Sequence, residues 1–178
     1  TKSGLVADDE YICIYDKQLA HFQISISSTS DEYCRTYENA PLVSKRVAAA
    51  EKLNFLGFDT TLRLSPFLYE TVDFNLLNKI HCDKILIEFL KVNHSIRKWF
   101  DIDYSDYTLK YGGYDNLQLS KKIELVSKIT GFKQVSVGEY VREHYVYFSK
   151  NVNFNPLDCC NLSNNRTFLK TKQLTLFP

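Results

Sequence analysis

The sequence predicts an α/β fold built on parallel strands with helices packed outside them. Two observations predict it. Short apolar or alternating runs recur between amphipathic helical patterns. The breakers Gly57, Pro66 and Gly131 then separate one element from the next. Strands joined through crossover helices run parallel, in either an open doubly wound sheet or a (β/α) barrel. With 178 residues, 44% of them hydrophobic, the chain suits one domain with a sizeable core. A charged fraction of 24% argues against disorder.

Element by element, Leu5–Tyr15 reads as a helix, with Leu5, Ile12 and Tyr15 on one side and Asp8, Asp9 and Glu10 early in it. His21–Ser27 alternates as a small-polar strand. Pro41–Leu56 reads as a helix: Pro41 suits a first helical position, Ala48–Ala50 favour helix, and Gly57 ends it. Thr60–Ser65 is a strand stopped by Pro66, and a short helix over Asp73–Asn78 leads to Lys84–Phe89, the most apolar strand. Asn93–Tyr114 is rich in aromatics and turn residues and is expected to be the least regular part. A helix over Leu117–Thr130, a strand over Gln134–Val137 and a helix over Val141–Phe148 follow. Residues 1–150 therefore form the predicted domain, and residues 151–178 an irregular tail.

Composition limits the function classes. A net charge of +1 gives no electrostatic case for a dedicated nucleic-acid binder. No apolar run approaches the ~18–20 residues of a membrane span, and no signal peptide opens the chain, so a soluble, cytoplasmic protein without membrane partners is expected. There is no Met, and Thr1–Gly4 read as the end of a motif, which predicts a piece of a longer protein. The five cysteines, Cys13, Cys34, Cys82, Cys159 and Cys160, are odd in number and scattered, as expected for reduced thiols rather than a disulfide framework.

Both parallel architectures bind ligands at the carboxyl ends of their strands. The residues there are Ser27–Ser28, Ser65, Glu88 and Gly138–Glu139. Singly, each also suits a helix cap; their recurrence on one rim favours a site. Arg46, two turns into its helix, can either fork a ligand carboxylate or pair with Glu38 or Glu51. Glu88 ends an apolar strand and needs a donor, for which topology offers Lys2 and Arg63. There is no Gly-x-Gly-x-x-Gly, no Walker lysine and no Gly-x-Ser-x-Gly, and the histidines His21, His81, His94 and His144 lack a metal-ligand spacing. Trp99, Phe100, Tyr104, Tyr107, Tyr111 and Tyr114 suit a packed cap over one end of the sheet, or a base-stacking surface. A non-catalytic interaction module and a phosphate-binding half-barrel, using Ser27–Ser28 and helix N-termini, both fit these features.

Over 1–66 the sequence resembles the radical S-adenosylmethionine superfamily, most closely its spore photoproduct lyase and DNA-repair photolyase-like branch. The resemblance is carried by Thr1-Lys2-Ser3, Ser25-Ile26-Ser27-Ser28, Glu38-Asn39-Ala40-Pro41, Arg46, Gly57 and Ser65-Pro66. It implies the C-terminal part of a partial (β/α) barrel of the radical SAM type. It also implies an enzyme that uses S-adenosylmethionine and a [4Fe–4S] cluster for radical-initiated hydrogen abstraction. The cluster's Cys-x-x-x-Cys-x-x-Cys motif is absent from this chain, which is therefore expected to be inactive alone. Under the resemblance, Lys2, Ser3, Ser25, Ser27, Arg46 and Ser65 would hold the cofactor, with Arg46 on its carboxylate and Ser65 near the adenosyl group. Glu88 joins them as a rim residue matched by no family motif. Nucleic acid is implied as a substrate only by analogy with that branch. A half-barrel also predicts an open strand edge where neighbouring strands would lie, and hence either self-association or a paired edge near the N-terminus.

Overall fold

The computed structural model describes residues 1–156. A 3₁₀ turn at Leu5–Ala7 and the short helix α1 (Asp9–Ile12) lead into strand β1 (His21–Ile26). Helices α2 (Asp31–Tyr37) and α3 (Val43–Phe55) cross to β2 (Asp59–Phe67). After a 3₁₀ turn at Tyr69–Thr71, α4 (Phe74–Leu77) crosses to β3 (Lys84–Phe89). The third crossover holds α5 (His94–Trp99), a hairpin of β4 (Leu109–Tyr111) and β5 (Tyr114–Asn116), and α6 (Leu119–Ser127). It ends in β6 (Gln134–Val137), which α7 (Arg142–Asn151) follows. The four long-range strands form one parallel sheet in the order β1-β2-β3-β6, as the alternation of elements predicts. Among the described residues no helix is long and apolar enough to cross a membrane.

Register explains how the sheet divides its chemistry. Successive side chains of a strand point to opposite faces. The aligned rows Ile24-Leu62-Ile85-Val135 and Ile26-Leu64-Ile87-Val137 make one face apolar. Of these eight, all but Val135 are completely buried in the main core. Helix α3 covers that face over β1 and β2 with Val43, Ala49, Ala50 and Leu53. Each buried Leu or Ile there contributes roughly 1.5–3 kcal/mol of burial free energy. The intervening row, Ser25-Arg63-Leu86-Ser136, lies on the opposite face, with Ser27, Ser65 and Glu88 further along it. That face is mostly polar, and its carboxyl-terminal end carries the charged groups described below.

Several boundaries differ from expectation for local reasons. The first helix is cut to a 3₁₀ turn and four residues, because Asp8 takes an extended conformation between them. Strand β2 does not stop at Pro66. It passes through a cis Ser65–Pro66 bond and a register shift between Leu64 and Phe67. The segment from Asn93 to Tyr114 is more regular than its composition suggests. Asn93 caps α5 by accepting from the Ile96 amide at 2.9 Å, and Gly112–Gly113, both with positive φ, close the hairpin. The tail cysteines Cys159 and Cys160 lie outside the described residues.

The outer edge of β1 is partly covered by the chain itself. The Thr1 ammonium donates to the Gln23 carbonyl at 2.7 Å, and the Ser25 amide donates to the Thr1 carbonyl at 2.8 Å. This is the hydrogen-bond pattern of a parallel bridge opposite Ile24. Of the two expected outcomes, a paired edge near the N-terminus is the one seen at that point, and the pairing segment is the chain's own first residue.

Candidate functional site

Three polar clusters stand at the carboxyl ends of the parallel strands. At β2 and β3, Arg63 donates to Glu88 Oε2 through Nε at 3.0 Å and Nη2 at 2.5 Å, and Ser65 Oγ donates to the same oxygen at 2.6 Å. Both charged side chains are about one-third exposed, 37% for Arg63 and 33% for Glu88, so the pair faces a wet cleft rather than the core. All three bonds converge on Oε2, and Oε1 has no protein partner among the described residues. Gly138, at the end of β6, lets the backbone approach closely: a Cβ there would stand 3.2 Å from Glu88 Cγ.

The second cluster lies between β1 and α3. Glu38, just past α2, receives the Ser27 hydroxyl on Oε1, lies 3.1 Å from Lys2 Nζ, and pairs with Arg46 Nη2 at 2.8 Å. Burial pushes the Glu38 carboxyl up, but the hydrogen bonds from Ser27 and Lys2 and the Arg46 charge together hold it below its ordinary value. Arg46 is fully buried; its Nη1 donates to the Ser25 carbonyl at 2.9 Å and its Nη2 to Cys34 Sγ at 3.4 Å. Burial and the Glu38 charge push the Cys34 thiol up.

The third cluster closes the β6 side. Lys122 of α6 and Glu139, which follows β6, form a buried ion pair, with side chains 1% and 3% exposed. Glu139 Oε1 accepts the amides of Tyr140 at 2.9 Å and Val141 at 3.0 Å, at the start of α7. His144 Nδ1 stands 3.9 Å from Glu139 Oε2. Burial lowers the Lys122 amine against the opposing pull of Glu139; burial and the Lys122 charge lower the His144 imidazole. The first and third clusters line one cleft of about 520 Å³, with Lys91, Asn116 and Tyr140 completing its wall.

The predicted residues thus fall in different settings. Ser65 and Glu88 share the cleft, with Arg63 as the donor that topology offered. Ser27, Lys2 and Arg46 meet at Glu38, whereas Ser3 Oγ accepts the Leu5 amide and caps the first turn. Ser25 contributes its carbonyl to Arg46 and its amide to Thr1. Lys122, Lys91 and Tyr140 escaped sequence reasoning, because a lysine in a helix or after a strand carries no spacing signal. Of the aromatics, Tyr107 is buried and the Tyr104 hydroxyl donates to the Phe100 carbonyl at 2.7 Å with the Ile96 carbonyl close by, which is packing; Trp99 remains 65% exposed.

Among the described residues no group of three or more His, Cys, Asp or Glu side chains is placed to hold a metal. Cys34 sits beside Arg46, Cys82 contacts the Thr60 and Lys84 carbonyls at the opposite end of the sheet, and Cys13 is exposed. These thiols do not fit an iron–sulfur cluster. Comparison with family models, curated proteins and solved structures returned no match.

Proposed function

We propose that the strand-end rim binds S-adenosylmethionine, and that this chain is the cofactor-holding, C-terminal part of a radical S-adenosylmethionine enzyme built on a partial (β/α) barrel. One observation carries the proposal: the polar face of the parallel sheet ends in adjoining clusters that pair cations with carboxylates and hydroxyls. S-adenosylmethionine presents an ammonium, a carboxylate, a ribose diol and a sulfonium, so a binding site needs acceptors and cations close together. Glu88 Oε1, without a protein partner among the described residues, is the acceptor for the ammonium or the diol. Lys2, 40% exposed, is the rim cation that a carboxylate can reach, with Ser3 beside it. Ser65 and Arg63 fix the Glu88 rotamer, and Arg46, being buried, braces Glu38 under Ser27.

Since no described thiols suit the [4Fe–4S] cluster, cofactor binding without cleavage is the activity expected of this chain. A phosphate site at Ser27–Ser28 is disfavoured: Ser27 faces the Glu38 carboxylate, and Ser28 Oγ donates to the Thr71 carbonyl while accepting the Ser30 amide. Equilibrium dialysis with labelled S-adenosylmethionine tests the proposal, with far-UV circular dichroism confirming that each variant folds. Saturable binding, competed by S-adenosylhomocysteine and weakened about 10-fold by Glu88→Gln, is expected from the loss of a charge-assisted hydrogen bond. Absence of saturable binding, or binding indifferent to Glu88→Gln and Ser65→Ala alike, would refute it.

A further inference from the structure

The β6 side of the cleft carries an unbalanced charge. Its wall holds the cations Arg63, Lys91 and Lys122 against the carboxylates Glu88 and Glu139. Arg63 is matched to Glu88 and Lys122 to Glu139. Lys91 makes no ion pair among the described residues. Its side chain is exposed, and its ammonium rests 3.8 Å above the Tyr140 ring centroid. Tyr140 cannot swing aside freely, because its hydroxyl donates to Asn116 Oδ1 at 2.9 Å, with the Tyr111 carbonyl 3.1 Å away as a second acceptor sharing the same proton. Asn116, almost fully buried, is held in turn by donating to the Tyr114 carbonyl at 3.1 Å. The hairpin therefore serves as a brace that presents one uncompensated cation to the cleft. After burial, the Lys91 charge also lowers the Lys122 amine, as expected of two like charges, with Glu139 pulling the other way.

We infer that the Lys91–Tyr140 corner receives an oxyanion group, a carboxylate or a phosphate, of a small-molecule substrate that lies beside the cofactor on the Glu88 side. One negative charge there brings the cleft to neutrality, and a carboxylate or phosphate oxygen there relieves the Lys91–Lys122 repulsion and meets a cation already seated over the Tyr140 ring. The cleft's size of about 520 Å³ suits a small molecule. The assignment of this corner to substrate rests on the cofactor reading above; the anion site itself does not.

The test is a ¹⁵N-HSQC titration of the whole chain with phenyl phosphate, benzoate and the neutral benzyl alcohol. Both anions should give saturable shifts at the amides of Lys91, Gly138 and Tyr140, and benzyl alcohol should not. The tighter of the two anions identifies the substrate as a phosphate ester or a carboxylic acid. Lys91→Gln should weaken anion binding about 5-fold or more, whereas exposed Lys98→Gln leaves it unchanged. Equal binding of the neutral probe, shifts elsewhere, or indifference to Lys91→Gln would overturn the anion site. A DNA oligomer binding this corner far more tightly than phenyl phosphate would overturn the small-molecule assignment. Loss of S-adenosylmethionine binding in Lys91→Gln would show the corner to be the cofactor's own. Anion binding that persists while S-adenosylmethionine fails to bind would fault only the cofactor reading.

Discussion

Replacing Glu139 with Gln should destabilise the protein by about 3–5 kcal/mol, because it leaves the Lys122 ammonium buried without its counter-charge. The side chains are almost completely out of water, and the ammonium also lies 5.2 Å from the Phe89 ring, a contact that cannot replace a carboxylate. Gln keeps an oxygen for the Tyr140 and Val141 amides, so the loss isolates the charge rather than the start of α7. Lys122→Met should cost less, about 2–3 kcal/mol, since Glu139 keeps those two amide donors and the favourable end of a helix dipole. The double variant Lys122→Met/Glu139→Gln buries no charge and should lose less than the two singles summed, by about 2–3 kcal/mol of coupling. Urea unfolding followed by far-UV circular dichroism measures all four corners of this cycle, and each kcal/mol should move the melting temperature by about 2–4 °C. Additive single losses, or a Glu139→Gln variant within about 1 kcal/mol of the parent, would show that water reaches the pair and that its burial is not what sets its energy.

Two further outcomes follow from groups far from the cleft. Burial alone would raise the Asp59 carboxyl, but His21 and Lys84 hold it down to about 2. The resulting stabilisation is complete above the unfolded carboxyl's ~3.9 and disappears as pH falls from there through about 2. A loss of about 2 kcal/mol over that window is expected, and Asp59→Asn should remove this part of the acid slope in urea titrations. Gly131 packs so closely on the chain at Asn78 that a Cβ would stand 2.3 Å from the Asn78 carbonyl oxygen. Gly131→Ala should therefore cost about 1–3 kcal/mol, read as a lower melting temperature, with the Thr130 and Gly131 amide contacts to Asn78 Oδ1 displaced.

The parallel sheet was legible because its apolar rows are written in the sequence as alternation or as continuous β-branched runs. β3 and β6 fall on the expected residues, and β1 differs by a single one. Helix α2 was not legible. Its only fully buried side chain is Cys34, so it has no apolar stripe, and its start at Ser30-Asp31-Glu32 reads equally as a polar strand end. The signal that could have found it is the cap itself: Ser30 Oγ accepts the Tyr33 amide at 3.2 Å, ahead of two acidic residues in the first turn. Gly112–Gly113 likewise announced a two-residue hairpin, masked by the aromatics around it.

The candidate site divides along the same physical line. Arg63 and Glu88 lie on adjacent parallel strands, and the alternation of side chains puts both on the face opposite the apolar rows, so their meeting follows from pattern and register alone. Lys122 and Glu139 meet because α6 turns one of two neighbouring lysines inward: Lys121 reaches Asp106 at the surface, while Lys122 is sealed under the cleft. Helical periodicity can mark a position as inward-facing, yet it cannot say that a cation will occupy it, since the partner that makes burial tolerable comes from a separate loop. Lys91 is harder still, for what fixes it is a tyrosine ring braced by a hairpin. Strand-borne members of the site are therefore recoverable from sequence, and so is Arg46, whose partner Glu38 lies close by in the chain, whereas Lys122 and Lys91, fixed by groups distant in the chain, are not. The crossovers are also where the cleft's unbalanced charge arises, so ligand choice in this fold should change more readily through α6, the hairpin and the loop before α7 than through the strands that carry Ser65 and Glu88.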